Sequence, residues 1–127
     1  SEIRIDMRIP VLADKEKLVE KLAEIASQYE LTYQEFDYLA PLYVPLDSEL
    51  VSTLMAIYQE KTGDESPAMS SGGATFARTM PNCVAFGALF PGADQTEHQV
   101  NERFRLDDLY RAMDIYAEAI YRLATTP

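Results

Sequence analysis

The eight residues Glu2 to Ile9, EIRIDMRI, set the hardest constraint on how this chain can fold. Ile3, Ile5, Met7 and Ile9 alternate with Glu2, Arg4, Asp6 and Arg8, a period of two that predicts a half-buried strand with one charged face. Pro10 ends it, because proline cannot donate to a ladder. Asp14 is placed to cap a helix over Lys15 to Tyr29, in which Leu18, Leu22, Ile25 and Tyr29 share a stripe. The aromatic run Leu31 to Leu39 then reads as a second strand. Such a β-α-β unit cannot bury both sheet edges by itself, so it asks for a partner.

The remainder predicts an α/β chain of two unlike halves. Ala40 to Leu46 carries two prolines and is the expected boundary between lobes. Asp47 is the expected cap of a helix over Ser48 to Lys61, closed by Thr62-Gly63. Cys83 to Leu89 is apolar throughout and reads as a strand buried on both faces. Asp107 is the expected cap of a last helix, with Leu109, Met113, Tyr116, Ala117, Ile120 and Leu123 toward the core.

Composition removes some functions. A formal net charge of -10 argues against nucleic acid and anionic membranes as partners, because both reward Lys and Arg. A single cysteine allows neither an internal disulfide nor a cysteine-based zinc site, and Cys83 in its apolar run reads as a small buried hydrophobe. No apolar stretch reaches the length of a membrane span. With no signal peptide to read at the charged N-terminus, a cytoplasmic protein is expected.

The residues that can carry chemistry cluster between Ser70 and Glu102. This stretch holds the only Gly-Gly pair, Gly72-Gly73, and the only histidine, His98. Adjacent glycines let backbone N–H groups approach an anion, and Thr75 adds a hydroxyl; a helical turn starting at Ala74 would add a favourable dipole. The same residues also suit a plain flexible turn. His98 is a zinc-type ligand, but its neighbours Asp94, Glu97 and Glu102 are all carboxylates, and an isolated histidine is more often structural or simply exposed. Arg8 can pair with Asp6 on the same face or hold a substrate carboxylate in its guanidinium fork. Arg78 is expected to brace the glycine loop by pairing with an acid.

Three motifs in this order, D-x-R-x-P at Asp6 to Pro10, S-G-G-x-T at Ser71 to Thr75 and H-x-x-N-E at His98 to Glu102, resemble a known family. It comprises the co-catalytic zinc peptidases related to aminoacylase, carboxypeptidase G and succinyl-diaminopimelate desuccinylase. Within it, the chain is most similar to the bacterial dipeptidase V, Xaa-His or carnosinase-like branch. The resemblance implies half of a ferredoxin-like β-α-β lid over residues 1–44 and a helix-strand-helix piece of the catalytic domain over 45–127.

It also implies roles. His98 matches a late zinc ligand of a two-zinc centre, and Arg8 matches a lid arginine for the substrate carboxylate. Gly72, Gly73 and Thr75 match a substrate-lining loop, and Asn101 and Glu102 match the segment supporting the histidine. The other ligands and the catalytic base have no counterpart here, so no catalytic residue is expected in this chain. It reads as an inactive C-terminal piece whose partners are a small peptide substrate and the N-terminal part of the same enzyme. Self-association through the lid edge is also expected. Two alternatives stay open: a deacylase or amidase of the same family, and a non-enzymatic binding or dimerisation module.

Overall fold

A computed structural model describes residues 2–73, 75–87 and 89–125. Ala74, where a helical turn was expected, and Ala88, inside the expected strand Cys83 to Leu89, lie outside the described residues. The described residues form three α-helices, α1 (Lys15–Gln28), α2 (Glu49–Thr62) and α3 (Leu106–Thr125), and one short 3-10 helix, Phe76–Thr79. None of them forms a strand, so the expected α/β class and its β-α-β unit are not what the chain adopts.

The reason is that a strand exists only through its partner. Alternation puts side chains on one face, but the backbone N–H and C=O groups still need a ladder. Among the described residues, 2–9 and 32–42 make no backbone hydrogen bond to another segment. The apolar face of the first segment stays open, with Ile3 72% and Ile5 67% exposed. Side chains join these segments instead. The Arg4 guanidinium lies 5.9 Å from the Phe36 ring centre. Lys15 pairs with Glu35 at 2.8 Å and sits 3.9 Å from the Tyr38 ring.

The chain divides into two compact units, one of Ser1–Tyr43 with Ser71–Pro81 and one of Val44–Ser70 with Asn82–Pro127. In the first, Asp14 caps α1 by accepting the Lys17 N–H at 3.1 Å. No residue of α1 is fully buried; Leu18, Val19, Leu22 and Ala26 are half-buried. Arg78 donates to the Leu39 carbonyl at 2.8 Å, not to an acid as expected, and so ties the 3-10 helix to the end of the aromatic run Leu31 to Leu39.

The core belongs to the second unit. Leu54 and Ile57 of α2 meet Ala112, Ile115 and Ala119 of α3, with Phe90 beside them. Ile57 has no exposed surface, a burial that stabilises the unit by about 1.5–3 kcal/mol relative to leaving it in water. Ser48, one residue later than expected, caps α2 through the Val51 N–H, and Gly63 ends the helix at φ 70°, where a Cβ would be strained.

The core face of α3 matches the expected one only in part: Tyr116 and Leu123 pack against the core, but Leu109, Met113, Ala117 and Ile120 are exposed. Ala112, Ile115 and Ala119 are buried, while Met113 is 56% and Ile120 70% exposed. α3 is apolar on two sides, and the small alanines let its backbone approach α2. Residues 83–87 and 89–90 pack one-sidedly instead of being buried on both faces. Val84 and Phe86 are half-buried and Phe90 is buried, whereas Ala85, Gly87 and Leu89 are exposed. The Phe86 ring meets Tyr116 edge-on at 5.9 Å, and the Tyr116 hydroxyl donates to the Phe86 carbonyl at 3.0 Å. Arg111 lies 4.2 Å from the Phe90 ring centre.

A polar seam flanks this core. Arg122 of α3 forks onto both oxygens of Glu60 and also bonds Glu118, while Lys61 reaches Asp114 at 2.9 Å. The hydrogen bond to Arg122 holds the Glu60 carboxyl below its ordinary pKa. A lowered folded-state value means that the contribution is present above the unfolded pKa and lost as pH falls through the folded one. Denaturation midpoints measured against pH should therefore show Glu60→Gln less stable than the parent at neutral pH. The gap should close as pH drops below the usual carboxylate range.

Candidate functional site

The site is best built from the loop between Phe90 and α3. Phe90 is fixed in the core, and a turn closes behind it: the Ala93 N–H reaches the Phe90 carbonyl at 3.0 Å, with Gly92 at φ 79°. Two four-residue turns follow in succession. The Gln99 N–H donates to the Thr96 carbonyl and the Glu102 N–H to the Gln99 carbonyl, both at 3.2 Å. His98 and Asn101 occupy the third position of each turn, at φ 61° and 63°. That position in a turn of this kind requires a positive φ, which asparagine and histidine tolerate better than most residues.

The loop closes on itself at its base. The Thr96 hydroxyl accepts the Arg103 N–H and donates to the Arg103 carbonyl, both at 3.1 Å. The Arg103 guanidinium bonds the Asp94 carboxylate at 2.7 Å. The Gln99 side-chain amide donates to the Gln95 carbonyl at 3.1 Å. His98 stands exposed at the outer part of this loop. Its imidazole has no hydrogen-bond partner among the described residues. A cavity of about 420 Å³ is lined by Asp94, Thr96, Glu97, Glu102 and Arg103, with Leu89 and Phe104.

Asn101 and Glu102 act on the loop through the backbone, one by its left-handed conformation and the other by its N–H. Sequence reasoning missed Thr96 and the Arg103-Asp94 pair. Contacts seven and nine residues apart within a loop follow no helical or strand period, so the sequence carries no signal for them.

The other site residues belong to the first unit. Gly72 and Gly73 are exposed, and the Gly73 N–H donates to the Ser71 hydroxyl at 3.0 Å. A Cβ at Gly72 would meet nothing within 4 Å, and neither glycine has a positive φ. The local fold therefore does not require glycine at Gly72, whereas a Cβ at Gly73 would come within 3.2 Å of the Ser71 hydroxyl. The Thr75 hydroxyl accepts the Ala77 N–H at 3.2 Å and caps the 3-10 helix. Arg8 forks onto Asp6, with Nε to Oδ1 at 3.0 Å and Nη2 to Oδ2 at 3.4 Å. Both side chains are exposed, so the pair is weak and open to exchange.

Among the described residues, no three His, Cys, Asp or Glu side chains converge to hold a metal ion. The donor set fits one ligand, the exposed imidazole of His98, and not a complete zinc centre, which needs three or four. Asp94 is already committed to Arg103.

The sequence profile of the family described as "Peptidase family M20/M25/M40" matches residues 2–122. A Bacillus subtilis (strain 168) protein named "Putative dipeptidase YtjP" is 42% identical over 97% of this chain and 26% of its own length. A Staphylococcus aureus (strain USA300) protein, also named a putative dipeptidase, is 34% identical over 94% of this chain and 25% of its own length. The chain thus spans about a quarter of the curated relatives it matches. No solved structure gives a significant match.

The backbone at His98 gives a direct test of whether this residue serves the fold. Glycine would relieve the left-handed conformation and lose about the same in backbone entropy, each roughly 1 kcal/mol. His98→Gly should therefore leave stability to chemical denaturation within about 1 kcal/mol of the parent. A larger loss would assign the imidazole a packing role.

Proposed function

We infer, because the chain belongs to peptidase family M20/M25/M40, that the protein of which it forms a part is a dipeptidase. The observation carrying this reading is the match of nearly the whole chain to relatives whose names read "Putative dipeptidase". In this reading His98 is one ligand of a two-zinc centre, and a bound zinc supplies the acidity that makes water a nucleophile near neutral pH. The remaining ligands and the catalytic base lie outside residues 1–127. Residues 1–44 belong to the lid and 45–127 to the catalytic domain.

The geometry supports these roles in part. An exposed imidazole with no partner of its own, on a loop closed at its base, suits a ligand shared with other parts of a protein. The Arg8 fork, held only by the exposed Asp6, suits exchange onto the carboxylate of a peptide. The exposed Gly72 and Gly73, with open space around Gly72, let a substrate come close, and Thr75 shapes that loop by capping the turn behind it. Asn101 and Glu102 hold the His98 loop.

In the whole protein, His98→Ala should lose zinc, read by elemental analysis, together with dipeptide hydrolysis. Unchanged zinc content would overturn the ligand role. The 127-residue chain alone should hydrolyse no dipeptide. Hydrolysis of acylated amino acids but not dipeptides by the whole protein would move the activity to a deacylase. In the same assays Arg8→Ala should raise KM more than it lowers kcat, as expected for a group that binds substrate and transition state alike. Arg8→Lys should not restore it, since an ammonium cannot form the fork.

A further inference from the structure

We propose that Thr96 is the positioning residue of the His98 loop, setting where the imidazole stands through three bonds made by one side chain and its own carbonyl. The functional consequence rests on the reading of His98 as a zinc ligand; the loop geometry does not. The Thr96 carbonyl accepts the Gln99 N–H and so closes the turn that carries His98. Its hydroxyl accepts from the Arg103 N–H and donates to the Arg103 carbonyl. Only a hydroxyl offers one donor and spare lone pairs on a single atom, so no apolar isostere can make both bonds.

Among the described residues, no other contact at the base joins the His98 turn to Arg103. The Asp94-Arg103 pair involves no residue of that turn, and as an exposed ion pair it is screened by salt. The Gln99 amide reaches Gln95, on the Thr96 side of the loop only. Two non-glycine residues in the left-handed region persist only where neighbouring bonds hold them. Thr96 provides the bonds at both ends of the segment. Its branched Cβ also restricts the rotamer, so the hydroxyl is aimed before the loop closes.

The test is hydrogen exchange and zinc binding on the whole protein with Thr96→Val and Thr96→Ser. With Val, amides of residues 97–103 should exchange about tenfold faster, while those of α2 and α3 stay unchanged. Zinc affinity, titrated with zinc ions, should weaken by about 10- to 100-fold, as when a partner that orients a ligand is lost. Serine keeps the hydroxyl and should restore most of both. Unchanged exchange in Thr96→Val, or a serine variant as loose as valine, would overturn the clasp. Faster exchange with unaltered zinc affinity would overturn its positioning role, provided His98→Ala itself lowers that affinity. If His98→Ala has no effect on zinc, the ligand reading falls, and exchange alone decides the clasp.

Discussion

The packing of α2 on α3 around Ile57 is the interaction on which the second unit depends. Ile57 is the one large side chain among the described residues with no exposed surface, and it faces Ala112, Ile115 and Ala119. Everything nearer the candidate site hangs from α3. Tyr116 stands against the Phe86 ring in a T-shaped pair and reaches the Phe86 carbonyl, and Arg111 covers Phe90. A cavity at Ile57 would therefore do more than weaken a helix pair. It would loosen the α3 surface on which residues 83–87 and 89–90 rest, and with it the start of the His98 loop.

From Phe90 onward the means of ordering changes. The core holds by apolar burial, but the loop from Asp94 to Arg103 holds by turns and a hydroxyl. Its left-handed residues, His98 and Asn101, are set by local hydrogen bonds and not by packing. This division lets a side chain stand free of neighbours while its backbone is fixed. A buried histidine would be held equally well, but its nitrogens would already be spent on protein partners. The exposed imidazole of His98 combines a fixed backbone with an uncommitted side chain, the combination that a ligand to something outside the loop requires.

The helices and most of their ends were legible because each end is a local event. Asp14 and Gly63 cap through bonds within a few residues of themselves, and Ser48 differs from the expected Asp47 by a single position. The strands were misread because alternation specifies faces and not partners. Glu2 to Ile9 has the pattern but no ladder, and Arg4 on Phe36 and Lys15 on Glu35 hold that region by side chains. The core face of α3 was legible at Tyr116 and Leu123 and misread at Met113 and Ile120, for another reason. A helix with apolar residues on two sides fits two stripes equally, and only the small residues Ala112 and Ala119 decide in favour of close approach to α2. In the loop, His98 was visible as the only histidine, whereas Thr96 was invisible because its partner sits seven residues away without a period.

The acids around His98 show how sequence proximity misleads about a site. Asp94, Glu97 and Glu102 stand close enough in the chain to look like companions for a metal. Asp94 is held by Arg103 and serves the base of the loop. Glu102 contributes its N–H to a turn and, like Glu97 and Arg103, is among the residues that line the cavity. The loop thus spends the Asp94 carboxylate and the Thr96 hydroxyl on its own shape and leaves the His98 imidazole without a partner among the described residues. A centre needing several ligands must then draw the others from elsewhere in a longer protein, in keeping with a chain that covers about a quarter of the relatives it matches. On that view the sign of the local charge matters less than the precision of one imidazole. What the loop itself fixes is the turn at His98, which the Thr96 carbonyl closes while the Thr96 hydroxyl bonds Arg103.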